Sequence, residues 1–588
     1  MSAFLPHTDP DPATRAAALA DARTAYRFNY AYVSPLAVID RVPRQHEFSH
    51  AWMKVVGERV IVSLANRVEL EGETHYAEFL RSKHALLTKV LSWGAELFLG
   101  VLREIVGDAL KFVGRATAKA VRPADLATYA DIFRSIGLPP IAAALPNDLG
   151  FAYLRLAGPN PVMLKRVAAL DDRLPLSEGE YARVVPGDSL AAAGGEGRLF
   201  LADYAALDGA ELGTYPHGVQ KYVYAPVALF VVDRATRQLR PVAIRCKQTP
   251  APDNPVFTPE DGYNWLIAKT IVEIADGNVH EAVTHLARTH LLIEPFVVCT
   301  YRQLAPNHPL FVLLVPHFDG TLAINDASWR HLIANKGAVD QLFGGTIETS
   351  RKLAASGVQT CLFNEAMLPK AVAARGTDDP ETLPVYPYRD DARLYWDAIH
   401  EWVGAYLALY YPTDAEVQAD PELKAWLTEI GAADGGRVGG FGPGMAAPTV
   451  AYLTDAVTMI LFTCSVQHAA VNFPQYDVMS YVPAMPLAGY APAPTSKTGA
   501  TAADHLAQLP PLDMAELQME LGYLLGTVHY TTLGQYPAGY FLDPRVAEPL
   551  ARFQARLAEA GRQIEQRNTT RVPYTTLRPA DIPQSINI

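Results

Sequence analysis

The sequence predicts a mainly α-helical protein with a small β-hairpin or sheet subregion, on three observations. Apolar residues recur at helical spacing along most of the 588 residues, and only one region carries the β-branched runs that suit strands. Apolar residues make up 49% of the chain against 19% charged, enough for a large packed core and too little charge for a disordered chain.

Taken in order, residues 11 to about 134 read as helix, with an Ala-rich stretch at 14–23 and an amphipathic one at 86–113. In the latter, Val90, Leu91, Trp93, Leu97, Phe98, Val101, Leu102 and Ile105 form a wide apolar face, expected in the core rather than on a lid or membrane. At 222–246 two β-branched runs flank a polar turn at 234–238, which reads as a hairpin. Helical patterns return at 265–290, 394–411, 446–471 and 516–530. The Gly/Pro-rich connectors 435–448 and 483–501 lie among these helices and read as loops rather than domain linkers. The expected organisation is a helical N-terminal portion, 1–150, packed on a catalytic core, 151–588, forming one continuous domain.

Lys plus Arg number 50 against 62 Asp plus Glu, a net charge of −12, and no basic block occurs, which argues against a nucleic-acid partner. Cys246, Cys299, Cys361 and Cys464 are scattered through apolar surroundings, the pattern of buried thiols in a reducing compartment. The first residues have neither a charged nor an apolar signal region, so a cytoplasmic location is expected. Residues 456–476 carry no charge and are long enough to span a membrane. They include Gln467, His468, Asn472, Pro474 and Gln475, which suits a buried helix with a polar task better.

His280, His285 and His290 recur at intervals of five. In a regular α-helix that interval puts side chains roughly 140° apart, so no two could share an ion. A π-bulge returns i and i+5 to one face, and such bulges concentrate at functional sites. The His280-Glu281 start superficially matches the zinc-protease pattern H-E-x-x-H, but the next histidine comes one residue late. His468 and Asn472, four apart in the charge-free helix, can meet one ion without distortion. The chain ends Gln584-Ser-Ile-Asn-Ile588, whose terminal carboxylate is a further candidate ligand. Imidazole, amide oxygen and carboxylate without sulfur favour a harder first-row ion, closer to iron than to structural zinc.

From about Phe151 onward the chain resembles the lipoxygenases, non-haem iron dioxygenases of polyunsaturated fatty acids. The resemblance rests on ordered motifs: Arg155-Leu-Ala-Gly-Pro-Asn-Pro-Val-Met, Tyr224-Ala-Pro-Val-Ala-Leu-Phe, Trp265-Leu-Ile-Ala-Lys, and the histidine run from His280 to His290. Glu294-Pro-Phe, Ile324-Asn325, Tyr395-Trp-Asp-Ala-Ile, His468-Ala-Ala-Val-Asn-Phe-Pro-Gln475 and the terminal Ile588 follow. It implies one iron per chain, cycling between Fe2+ and Fe3+, with His285, His290, His468, Asn472 and the Ile588 carboxylate as ligands. No catalytic side chain is implied beyond the iron-bound hydroxide. Glu281 and Gln475 match polar positions linking cavity and ligand helix. Leu332 and Leu525 match the apolar clamp on the reacting pentadiene, and pocket depth is expected to depend on side-chain packing around Leu332, Leu342 and Phe343. Ser328 stands where the family carries Ala or Gly according to product configuration, which leaves that configuration open.

The implied reaction is insertion of O2 into the 1,4-pentadiene of a linoleic- or arachidonic-type acid, giving a conjugated diene hydroperoxide. The β-barrel lipid-binding domain with which eukaryotic members begin is not expected before Phe151, so the chain resembles compact bacterial members. Membrane recruitment would then fall to a surface such as residues 86–113. The Arg that some members place near the pocket mouth corresponds to Ala327 and Met485. Two alternatives share these residues: a lipid hydroperoxide isomerase on the same fold, and a catalytically silent lipid-binding protein.

Overall fold

The computed structural model describes residues 3–70, 72, 121–144 and 147–588. It is mostly helical with one small antiparallel sheet, as the apolar periodicity requires. The amphipathic stretch 86–113 lies outside the described residues.

Near the N-terminus, α1 (Pro12–Ala25) begins at a proline and is capped by the Asp11 side chain, which accepts from the Thr14 N–H. The expectation of helix throughout 11–134 does not hold. Between α1 and α2 (His50–Leu70) the chain forms a two-stranded antiparallel ladder, β1 (Phe28–Asn29) with β2 (Val38–Ile39). Pro35 and Pro43 interrupt any helix in that interval. Residues 121–134 hold only the short turn Ala127–Tyr129.

The hairpin expected at 222–246 is β5 (Val227–Val232) with β6 (Leu239–Arg245), the centre of a five-stranded sheet. Its other strands are β3 (Lys165–Val167), β4 (Leu199–Asp203) and β7 (Val256–Phe257), most of them too short to show an alternating pattern in sequence. Strand alternation divides the sheet between two cores. Phe200, Ala202, Ala228 and Phe230 join the main cluster, while Leu199, Leu201, Leu229 and Val231 pack into a smaller one with Tyr181 and Val184.

Behind the sheet run long helices. α3 (Asp148–Ala157) packs on β6, and α4 (Tyr263–Val279) continues through a π-helical segment, His280–Leu291, into α5 (Leu292–Gln303). Further along are α6 (Thr321–Ala327), α7 (Ile347–Gln359), α8 (Pro387–Leu407), α9 (Val450–Phe462), α10 (Leu512–Thr527) and α11 (Ala547–Asn568). α9 leads through π turns at Thr463–Gln467 and Gln475–Met479 that flank the short α-helix His468–Asn472. The run Val450–Met479 is apolar and long enough to cross a membrane, yet 72% of its most apolar window is buried inside the molecule. Cys246, Cys299, Cys361 and Cys464 are all buried and unbridged.

The main cluster joins Leu5, Tyr26 and Ile39 to residues as distant as Ile586, so the described N-terminal residues share a core with the rest. α7 lies close against the π segment. A Cβ on Gly357 would come within 2.8 Å of the Ala287 Cβ, so the approach of these two helices depends on glycine.

Candidate metal centre and cavity

The π segment does what the five-residue spacing asks. Pro295 lacks an N–H for the Leu291 carbonyl, so the ordinary α-helical bond cannot form at that junction. Over twelve residues the i→i+5 register turns His285 and His290 to one face, with ring centroids 4.9 Å apart. His468 arrives from the opposite helix. The Nε2 atoms of His285 and His290 lie 3.2 Å apart, those of His290 and His468 3.2 Å, and those of His285 and His468 3.4 Å. Among the described residues this is the one group of three His, Cys, Asp or Glu side chains placed to share an ion.

Hydrogen bonds fix the tautomers. The His285 Nδ1–H donates to Glu281 Oε2 at 3.3 Å, and the His290 Nδ1–H donates to Asn325 Oδ1 at 2.9 Å. Both acceptors lack a proton to give, so Nε2 of each ring is a bare lone pair. Two buried lone pairs 3.2 Å apart repel unless a cation lies between them. Nitrogens at this spacing could each reach one ion through bonds of ~2.1 Å, so the donor set fits a metal.

Electrostatics agree. Burial, with the nearby His285, lowers His290 to about 3, and burial also lowers His285. His468 is pushed well below its usual value by burial and by the other two rings, against an opposing hydrogen bond to the Ile588 backbone. All three rings are therefore neutral donors. Burial would raise Glu281, but His280 and His285 outweigh it and hold the carboxyl far below the usual range.

The other sequence-derived residues fall around this triangle. His280 stays outside it, its Nε2 donating to the Val471 carbonyl at 2.7 Å and tying the π segment to the His468 helix. The Asn472 amide donates to the Leu525 carbonyl at 2.9 Å and accepts from Gln475 Nε2 at 2.9 Å. Ile588 is buried and lines a cavity with His285 and His290. Glu281, Ser328, Leu332, Phe343 and Leu525 line the same cavity.

Leu342 is not on the cavity wall. It ends the short helix Ala338–Leu342, and its side chain joins the cluster with Tyr129, Met479 and Leu487. Phe343 follows in extended backbone; it belongs to the same cluster and also lines the cavity. Ala327 closes α6, and Met485 is fully buried against Gly277. The cavity, about 80 Å³, is well below the size of an ordinary ligand pocket. The half-buried Leu286, Leu332 and Leu525 are among the side chains that narrow it.

Sequence reasoning assigned no role to Asn325, Glu294 or Trp52. Asn325 and Glu294 stood in noticed motifs, but only the fold shows Asn325 against a histidine ring. Trp52 gave no local signal.

A buried triad of imidazoles beside a narrow apolar cavity, on a helical scaffold, has the form of a metal-binding centre. The lipoxygenase family profile matches residues 142–579, and the chain belongs to that family. It is 39% identical over 564 residues to a linoleate 9/13-lipoxygenase of Pseudomonas aeruginosa, covering 90% of this chain and 81% of that protein. It is 37% identical over 447 residues to the human polyunsaturated fatty acid lipoxygenase ALOX15B, covering 75% of this chain and 66% of the human protein. A lipoxygenase variant crystallised with arachidonate superposes with a TM-score of 0.85 at 28% identity, covering 100% of this chain and 84% of that one.

Proposed function

We propose that this chain is an iron-dependent dioxygenase of polyunsaturated fatty acids, with linoleic- and arachidonic-type acids as substrates. The observation that carries the reading is the meeting of three histidine Nε2 atoms beside an apolar cavity. His285, His290 and His468 would hold the iron, with Asn472 and the Ile588 carboxylate completing its protein ligands.

When bound, iron supplies the one-electron chemistry that removes a bis-allylic hydrogen so that O2 can add to the resulting pentadienyl radical. The chain's own residues set the conditions. Glu281 and Asn325 hold two imidazoles with their lone pairs inward, and Gln475 with the Leu525 carbonyl fixes the Asn472 amide. Because the Leu525 side chain also lines the cavity, its position is tied to that of Asn472. Leu332, Phe343 and Leu525 provide a dry wall that orients the pentadiene, with Ser328 as a polar group on it.

Oxygen uptake and conjugated-diene absorbance with linoleate and arachidonate test the proposal. Both signals rising together on free fatty acid, with added hydroperoxide unchanged, is the expected result. Rapid rearrangement of added hydroperoxide without oxygen uptake would replace it with the isomerase reading.

A further inference from the structure

Behind His290 lies a hydrogen-bonded chain that the reaction itself does not require. Asn325, on α6, accepts the His290 Nδ1–H at 2.9 Å. Its own amide nitrogen donates to Glu294 Oε2 at 2.7 Å and to the His290 carbonyl at 3.1 Å. Glu294, one helical turn beyond His290, uses its second oxygen, Oε1, to accept the Ile39 N–H at 2.7 Å. Asn325 and Glu294 are 1% and 2% exposed, so each polar atom must be met inside the protein.

The arrangement specifies residue types. An asparagine can face an imidazole N–H with its oxygen only if its NH2 group finds acceptors on the other side, and Glu294 Oε2 and the His290 carbonyl are those acceptors. A carboxylate at 294 meets two separate N–H donors with two oxygens. Glutamine, with one oxygen, would set its NH2 group against either Ile39 N–H or Asn325 Nδ2. The chain runs from β2, through α5 and α6, to a ring whose orientation decides where its Nε2 lone pair points.

We infer that Glu294 and Asn325 are positioning residues for the metal centre, holding His290 in its Nδ1–H tautomer and anchoring it to the N-terminal strand β2. The inference rests on His290 being a metal ligand.

The test follows release of iron from the full-length iron-loaded protein to a ferrous chelator, with the EPR spectrum of the ferric form. Glu294→Gln and Asn325→Asp should each speed release about 10–100-fold, the usual effect of disturbing an outer partner of a metal-bound histidine. In Asn325→Asp the new carboxylate faces Glu294. The double variant E294Q/N325D restores the match between these two side chains, because the introduced glutamine donates its NH2 group to the introduced carboxylate, which still accepts from His290, while the glutamine oxygen accepts from the Ile39 N–H; only the donor to the His290 carbonyl is not replaced. It should release iron at least about 3-fold more slowly than Asn325→Asp alone, with an EPR signal closer to that of wild type, a coupling that independent losses of packing would not produce. Wild-type release in both single variants, or a double variant no better than the worse single one, would overturn the inference. Iron retention in His290→Ala would instead overturn the ligand assignment beneath it.

Discussion

The π segment His280–Leu291 and the tail 582–588 border the same cavity, yet different physics puts each of them there. The π segment is positioned from within. Its register is a local property of a helix, supported by the close face of α7 at Gly357, and it turns two histidines inward by backbone geometry. The tail is held from outside. All seven of its residues are buried without regular structure, and three of its backbone carbonyls are met by groups distant in sequence. Trp52 Nε1–H donates to the Asn587 carbonyl at 2.6 Å, Thr321 Oγ1 to the Ile586 carbonyl at 3.0 Å, and His317 Nδ1–H to the Gln584 carbonyl at 2.9 Å. The two histidines of the π segment thus depend on one helix keeping its register, and the terminal residue on several elements already being in place.

The largest effect should come from breaking the helical half. His290→Ala leaves two imidazoles, and iron content should fall from about one to below about 0.1 per chain, with activity reduced at least ~10³-fold. Metal analysis and oxygen uptake measure both. Extending the chain beyond Ile588 attacks the other half. Extra residues should cut iron retention and activity at least ~10-fold while helix content by circular dichroism is unchanged. Full activity in a protein whose extension is verified intact would remove Ile588 from the ligand set.

Gly320→Val sharpens the contrast. Gly320 has φ +80°, and a Cβ there would come within 2.9 Å of the Asn587 Cβ, so backbone strain and a clash coincide where α6 meets the tail. Loss of about 2 kcal/mol or more is expected in chemical denaturation. Iron retention should weaken with it, whereas a substitution that only loosened the fold would leave retention unchanged.

A pH dependence also runs through one of the tail's anchors. Burial lowers His317 to about 3, against an opposing hydrogen bond to Gln584. Its neutral form is favoured in the fold, so its contribution is complete above the unfolded pKa of about 6.5 and is lost as pH falls from there toward 3. Well inside that window one such histidine contributes a slope of about 1.4 kcal/mol per pH unit. His317→Gln should flatten the stability profile between pH 6 and 4 by about that amount, measured by denaturation at several pH values.

The same contrast explains what could be read without a structure. The interval of five among His280, His285 and His290 carries its own geometry, so the need for a π segment was visible in residue types alone. The hairpin at β5–β6 was visible because both strands are long and β-branched, whereas β3 and β7 owe their pairing to neighbours rather than to pattern. Whether Leu342 or Phe343 meets the cavity was not legible, because a helix ends between them and spacing does not show where a helix stops. The path of Ser585-Ile-Asn-Ile588 has no local determinant, since Trp52, His317 and Thr321 are brought to it only by the fold. Asn325 and Glu294 were hidden for the same reason, their partners lying on different elements.

The central claim is that both regions converge on one iron through nitrogen and oxygen donors. The most direct measurement is metal analysis of the purified protein with X-ray absorption at the iron edge. The account predicts about one iron per chain, with a first shell of N and O scatterers and no sulfur. A protein active without iron, or an iron with sulfur in its first shell, would contradict it.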